Sequence, residues 1–232
     1  MIKLDPRLAA CAELVSGDVV IDVGTDHGYL PCFLVESKRC SRAYACDIAE
    51  GPLSSARACI SREGLEDSIT AVLSDGLLSL SDGAAASASD IVIAGMGGEL
   101  IAEIISKGAK AGKLQKSARL ILEPNTKAAF LRRFLCENGY SIRSEKAVRD
   151  GRFIYAVICA EFSGETRTLD ELSAVVGGLD VSEPTAREYL EKEAERLCAA
   201  ADGMSASASD ASKEQAARLF ELAEGIRRIL NT

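Results

Sequence analysis

No Cys-x-x-Cys pair occurs among the eight cysteines of this 232-residue chain, at positions 11, 32, 40, 46, 59, 136, 159 and 198. That absence speaks against a zinc site or a disulfide framework, and several of these thiols fall inside apolar patterns, as buried free thiols in a reducing cytoplasm do. Long hydrophobic runs are missing too. Lys, Arg, Asp or Glu interrupts each one before it reaches spanning length, and the first residues form no basic-then-apolar leader. Neither membrane insertion nor export is expected, and the expected location is the cytoplasm. Positive charge is in deficit: 27 Lys and Arg stand against 35 Asp and Glu, a formal net charge of -8. A general polyanion binder is disfavoured, because phosphate contacts need clustered cations. Histidine occurs once, at His27. What the chain does have is 47% hydrophobic residues, enough for one sizeable core with an appendage.

Two textures divide the chain. Up to about residue 162, short apolar runs alternate with helix-length segments: VVIDVG (19–24), AYACDI (43–48), SITAVL (68–73), DIVIAG (90–95) and RLILEP (119–124). This repetition predicts an α/β fold with a parallel sheet covered on both faces. TKAAFLRRFLCENGY then reads as a helix with Leu131, Phe134 and Leu135 on its apolar face, ended by Asn138-Gly139. SIRSEKAV and RFIYAVICAE around Asp150-Gly151 read as a hairpin with a type I′ turn. Five βα units closed by an antiparallel hairpin is the Rossmann-like plan of class I methyltransferases.

From residue 163 onward the pattern is helical. Ala186, Leu190, Ala194, Leu197 and Ala201 form one apolar stripe; Ala216, Leu219, Phe220, Ala223, Ile226 and Leu230 form a second. DGMSASASDAS between them reads as a flexible connector, and Ser212 with Gln215 as a capping box. The expected organisation is a catalytic domain over 1–162 and a two-helix, coiled-coil accessory domain over 163–232.

Candidate site residues cluster where strands end. Asp22-x-Gly24-x-x-x-Gly28 closes the first strand, and its glycines let a ligand approach the backbone near a helix N-terminus or simply serve the turn. Asp47 follows Asp22 by 25 residues, where an acid accepts both hydroxyls of a ribose; the alternative is a cap for a helix starting at Pro52. Asp75 and Gly76 end the third strand, with Asp75 either beside an adenine amino group or a turn residue. Ala94-Gly95-Met96-Gly97-Gly98 ends the fourth, and packing explains Met96 better than it explains three glycines.

IDVGTDHGYLP, AEGPLSSA, SDGL, IVIAGMGGELI, LILEPN and the late DGRFIY together resemble the TrmK family of bacterial tRNA (adenine(22)-N(1))-methyltransferases. The resemblance covers essentially the whole chain, two-helix tail included, and GTDHGYLP and AGMGG are its most specific motifs. It implies S-adenosylmethionine as methyl donor and N1 of an adenine in the tRNA D-arm as acceptor, with tRNA the partner of a monomer that needs no metal. By position it implies a cofactor site of Asp22, Gly24, His27, Gly28, Asp47, Ile48, Asp75, Gly76, Ala94, Gly95, Met96 and Gly97. Asp26 and Tyr29 fall at the catalytic rim, and Asn125 is placed to bind a base edge. Two positions depart from the family pattern. The fifth strand ends Glu123-Pro124-Asn125 where Gln-Pro-Asn is usual, which removes a donor, and Asp47 stands where glutamate is common. Spacing alone leaves a small molecule or a protein as acceptor, or a catalytically silent binding module; only the resemblance selects tRNA.

Methylation turns adenine into a cation, so a carboxylate beside it stabilises the charge that develops. Asp26 fills that role or caps the helix after Gly28. His27 reads as a structural imidazole rather than a general base, since N1 has no proton to lose, and Tyr29 as a stacking or a core residue. From Arg119 to Arg152 eight basic residues stand against four acidic ones, a local excess of +4. Arg7, Lys127, Arg132, Arg133 and Arg149 are therefore the expected phosphate contacts, with a solvated helix face as the alternative for Arg132 and Arg133.

Overall fold

A computed structural model describes residues 2–205 and 209–232. In chain order the elements are α1 (Pro6–Leu14), β1 (Val19–Val23), α2 (Tyr29–Glu36), β2 (Arg42–Asp47), α3 (Glu50–Arg62), β3 (Ile69–Leu73), α4 (Asp82–Ser87) and β4 (Asp90–Gly97). There follow α5 (Gly98–Lys110), β5 (Arg119–Thr126), α6 (Ala128–Glu137), β6 (Tyr140–Asp150), β7 (Phe153–Phe162), α7 (Glu171–Val176), α8 (Pro184–Ser205) and α9 (Asp210–Leu230). The strands form one sheet in the order β3-β2-β1-β4-β5-β7-β6. β1 to β5 pair in parallel, and β7 returns antiparallel between β5 and β6. The order reverses between β1 and β4, and in open α/β sheets that reversal opens a crevice beyond the carboxyl ends of the strands.

Both faces of the sheet are covered because its central strands are apolar on both sides. Ile21, Val23, Ile91, Ile93, Leu120 and Leu122 point into a core with α5 and α6. Val20, Val92 and Ile121, at the intervening positions, join a second core with α1, α2 and α3. All eight cysteines are free thiols, seven of them buried. At the foot of β4 the buried Asp90 accepts from Arg119 (Nε, 2.8 Å) and from the backbone N–H groups of Ser16 and Gly17, far from the strand ends that carry the motifs.

The sequence reading misses α1 and α7. The signal for α1 is short: Asp5 accepts from Leu8 N at 2.8 Å and Pro6 sits in the first turn, an N-terminal pattern carried by only nine helical residues. The hairpin turn also differs from expectation. Asp150 pairs with Phe153, so Gly151 and Arg152 are the central residues, and only Gly151 has positive φ (+57°). That is the pattern of a type II′ turn; type I′ requires both central residues to be left-handed.

The two long helices form as expected, antiparallel, with Arg187 near the start of α8 donating to Leu230 O at the end of α9 (2.6 Å). Leu190, Ala194, Leu197, Ala223 and Ile226 make a separate apolar cluster that also meets Ala147 of β6. Phe220 departs from its predicted stripe and lies 36% exposed. Residues 202–205 of the predicted connector extend α8, residues 210–212 already belong to α9, and 206–208 lie outside the described residues. The N-cap of α9 is Ser209, so Ser212 is inside the helix and no capping box starts there.

Candidate functional site

Beyond the ends of β1, β4 and β5 lies a cavity of about 390 Å³, within the range of small-molecule sites. β1 brings Asp22, Gly24, Asp26, His27 and Tyr29 to it through the turn into α2; β4 brings Ala94 and Gly95; β5 brings Glu123 and Asn125; and α1 closes one side with Arg7. Nine of the residues singled out in the sequence therefore share one cavity. Glu123 joins them without having been singled out as a site residue.

The turn after β1 explains its own glycines. Gly24 has φ +79°, and a Cβ there would fall 2.2 Å from Met96 Cε, so Met96 of the AGMGG stretch packs directly on it. Gly28 has φ +70° and is itself the N-cap of α2, with α3 so close that a Cβ would stand 3.1 Å from Ala56 Cα. The reading of Asp26 as the cap of α2 is thereby excluded. Asp26 is left-handed (φ +46°), its side chain is 68% exposed, and its Oδ2 lies 3.5 Å from His27 Nε2. His27 in turn stacks on Tyr29, with ring centroids 5.2 Å apart and planes at 24°. A carboxylate and a two-ring platform thus stand together at the rim.

In AGMGG, Gly95 has φ +76° with open space where a Cβ would be, so a ligand meets bare backbone there. Packing accounts for Gly98, whose Cβ would sit 2.6 Å from Lys127 O; Gly97 is the N-cap of α5 beside Thr126. β4 shifts register against β5 twice here, between Ala94 and Met96 and again between Met96 and Gly97, and such irregularities re-aim the backbone at a site.

The cavity floor is acidic. Asp22 is buried, and burial raises its carboxyl to about 6 against the lowering effect of Thr25, with Asp47 adding a further upward push. Burial likewise raises Glu123 to about 7, although the Gly95 N–H (2.8 Å to Oε2) and the Arg7 guanidinium (3.6 Å) favour its charged form. Two buried acids that are costly to ionise suit a cationic occupant.

Farther along the strand ends, Asp47 Oδ1 accepts from Ala49 N at 2.8 Å, which fixes the carboxylate two residues before the N-cap of α3. That helix starts at Glu50 with Ala49 as its N-cap, so Asp47 is not the cap of a helix beginning at Pro52. Ile48, 69% exposed, offers an apolar surface next to it. Asp75 pairs with Lys107 (3.2 Å), and Gly76 (φ +60°) brings the chain against Ile104.

The expected phosphate contacts need correction. Arg132 is buried (1% exposed) and held by Glu145, Ala174 O and Val175 O, so it belongs to no solvated face and its donors are committed within the protein. Arg7 turns inward, bonding Asp150 (3.0 Å) and Asn125 (3.2 Å) and lying over Tyr155. Lys127 pairs with Glu99 and Arg149 with Glu188, both in exposed pairs that water or phosphate can replace. Arg133 is half-buried. Much of the local excess of positive charge is thus committed to carboxylates from elsewhere in the chain.

Residues 4–158 match the methyltransferase-domain family. The tRNA (adenine(22)-N(1))-methyltransferase of Bacillus subtilis is 37% identical over 179 residues, 77% of this chain and 73% of that protein. The crystal structure of the Bacillus subtilis tRNA methyltransferase TrmK superposes with TM-score 0.82 at 28% identity, over 99% of this chain and 100% of that one. A Streptococcus pneumoniae protein solved in complex with S-adenosyl-L-methionine superposes with TM-score 0.82 at 32% identity, again over 99% and 100% of the two chains. With a methyltransferase-domain match over most of its length and a relative this similar in sequence, the chain belongs to the TrmK family of tRNA (adenine(22)-N(1))-methyltransferases.

Proposed function

We infer that the protein methylates N1 of adenine 22 in tRNA with S-adenosylmethionine as methyl donor. The observation that carries this reading is the cavity at the β1/β4 reversal, where the GTDHGYL turn and the AGMGG backbone meet over two buried acids. Bound there, S-adenosylmethionine supplies a methyl group made electrophilic by its sulfonium. The residues present fit it: buried carboxylates match its positive charge, bare backbone at Gly95 allows close approach, and Asp47 with Ile48 suits a ribose and an adenine face. We assign binding of this group to the twelve cofactor residues proposed above, with Gly28 and Gly97 acting through the turns they form. Adenine N1 attacks with its in-plane lone pair, so the protein has to orient the base and offset its new charge rather than deprotonate it. Asp26 offsets charge, Tyr29 with His27 supports the base, and Asn125 holds its edge.

Asn125 also lines a second cavity of about 300 Å³, between the β5–α6 connection and α8, to which Lys127, Tyr155 and Arg196 contribute. RNA flanking an extruded base has a path there, because an N1 hidden in a base pair cannot react. In this reading residues 163–232 are an accessory unit beside the catalytic domain, working in the cytoplasm. Among the described residues no helix is long and apolar enough to cross a membrane. The test is transfer of labelled methyl groups to bulk tRNA, compared with tRNA lacking adenine at position 22. Equal labelling of the two rejects the assignment.

Asp47→Ala should weaken S-adenosylmethionine binding more than tenfold, since losing a hydrogen bond to a charged group costs roughly 1.5–3 kcal/mol. Calorimetric titration measures it, and unchanged affinity would remove Asp47 from the site. Affinity for tRNA should fall steeply with salt despite the acidic chain. Lys127→Ala with Arg149→Ala should flatten the plot of log affinity against log salt, by about one unit for each phosphate that the variant no longer neutralises. An identical slope in the double variant would take both residues off the RNA face.

A further inference from the structure

We propose that Glu123 is a catalytic residue that receives the exocyclic amino group of the target adenine, its Oε1 accepting the N6–H next to the reacting N1. The inference rests on the function proposed above. The Glu123 side chain is 1% exposed yet lines the cavity. Its two oxygens are treated differently: Oε2 accepts the Gly95 N–H at 2.8 Å, whereas Oε1 is buried and has no hydrogen-bond partner among the described residues. An orphaned carboxylate oxygen is unfavourable and calls for a donor that arrives with the ligand.

The donor is best supplied by the base. Glu123 is on β5, two residues before Asn125 and separated from β2, with its Asp47 and Ile48, by β4 and β1. Next to N1, adenine carries one donor, the N6 amino group. Guanine presents a carbonyl oxygen in that place, which a carboxylate repels, so the same oxygen selects for adenine. During transfer N1 forms its bond to the methyl carbon as the bond from that carbon to sulfur breaks. The positive charge passes to the purine and no proton has to leave. Ionised Glu123 then holds a cationic donor, a stronger charge-assisted hydrogen bond than the one the same carboxylate makes to the neutral base. The groups facing Glu123 are Arg7, Asp5 and Cys11 from α1 and its lead-in, Asp22 from β1 and Asp150 from β6. Burial outweighs the Gly95 N–H and Arg7, the one group among these that favours ionisation, and raises the carboxyl to about 7.

Single-turnover methylation of a tRNA transcript from pH 6 to 9, with wild type and Glu123→Gln, tests the proposal. At limiting tRNA and cofactor, where the rate reports the unliganded protein, the wild-type rate should climb about tenfold as the carboxyl ionises through pH 7. The variant keeps an acceptor but not the charge. It should match wild type at pH 6, stay flat, fall about tenfold or more behind at pH 8, and bind S-adenosylmethionine as before. A readout without turnover is the melting temperature. A carboxyl raised on folding stabilises below its ordinary value, and that contribution disappears as pH rises through 7; Glu123→Gln should therefore gain a few degrees over wild type between pH 5 and 8. Asp22 is common to both proteins and cancels. A wild-type rate flat from pH 6 to 8 overturns the proposal without any variant. So does a variant that follows the wild-type profile, or one that loses cofactor affinity, which would turn Oε1 toward the cofactor. A wild type inactive on tRNA at every pH rejects the underlying reading, and this assignment with it.

Discussion

Arg132→Ala is expected to lower the stability of the protein by about 3–5 kcal/mol, the cost of removing one partner from a buried ion pair and leaving the other charged and alone. The arginine leaves α6 and ends between two other elements. Its NH2 and Nε meet Glu145 of β6 at 2.9–3.1 Å, and its NH1 donates to the carbonyls of Ala174 and Val175 in α7 at 2.9 and 2.8 Å. Those carbonyls belong to the last turn of a six-residue helix, where backbone acceptors need a partner from elsewhere. Removing the guanidinium therefore orphans a buried carboxylate and two carbonyls together. Gly177, with φ +65°, shows how tightly the pair is enclosed, since a Cβ there would stand 2.4 Å from both Arg132 Nε and Glu145 Oε2. Chemical denaturation reads the effect, and the midpoint should fall without loss of cofactor affinity in the folded fraction, because the cavity is built mainly from β1, β4 and β5. Gly177→Ala should destabilise through the same pair. A wild-type midpoint for Arg132→Ala would mean that the ion pair contributes nothing.

The same arginine shows where a sequence stops being legible. Its neighbours in sequence mark it as a basic residue on an amphipathic helix, and nothing local distinguishes it from Arg133. What buries it are Glu145, 13 residues away, and carbonyls 42 and 43 residues away. The inward turn of Arg7 is hidden for the same reason: its partner Asp150 is 143 residues distant. The strands, in contrast, announce themselves, because apolar runs that end in Asp or Gly require no knowledge of their partners. The DVGTDHG and AGMGG turns are legible because positive φ and close approach restrict the residue type on the spot. Glu123 stands between these cases. It is visible as a departure from the family pattern, yet only the position of the Gly95 N–H reveals that one of its oxygens is left without a donor.

Asp26→Asn should lower the single-turnover rate of methyl transfer by about 10² to 10³, the usual worth of a preorganised electrostatic contact to a developing charge, while leaving the fold intact. The structure separates the two roles the sequence allows. Gly28 is the N-cap of α2, so an asparagine at 26 removes no cap. The left-handed φ of +46° suits asparagine as well as aspartate, so the backbone is not strained by the change. Only the charge disappears. That charge faces solvent, with the side chain 68% exposed beside His27, and is well screened. A base stacked over the His27–Tyr29 pair would displace this water, and the carboxylate would then act on the purine through a medium of lower dielectric, at the stage when the ring turns cationic. The interaction grows toward the transition state, so cofactor affinity should be nearly unchanged and the rate should carry the loss. Saturating tRNA and S-adenosylmethionine, with a melting curve for the variant, isolate that step. Wild-type turnover in a folded Asp26→Asn protein would leave the aspartate of GTDHGYL with a conformational role only, its tolerance of a left-handed turn.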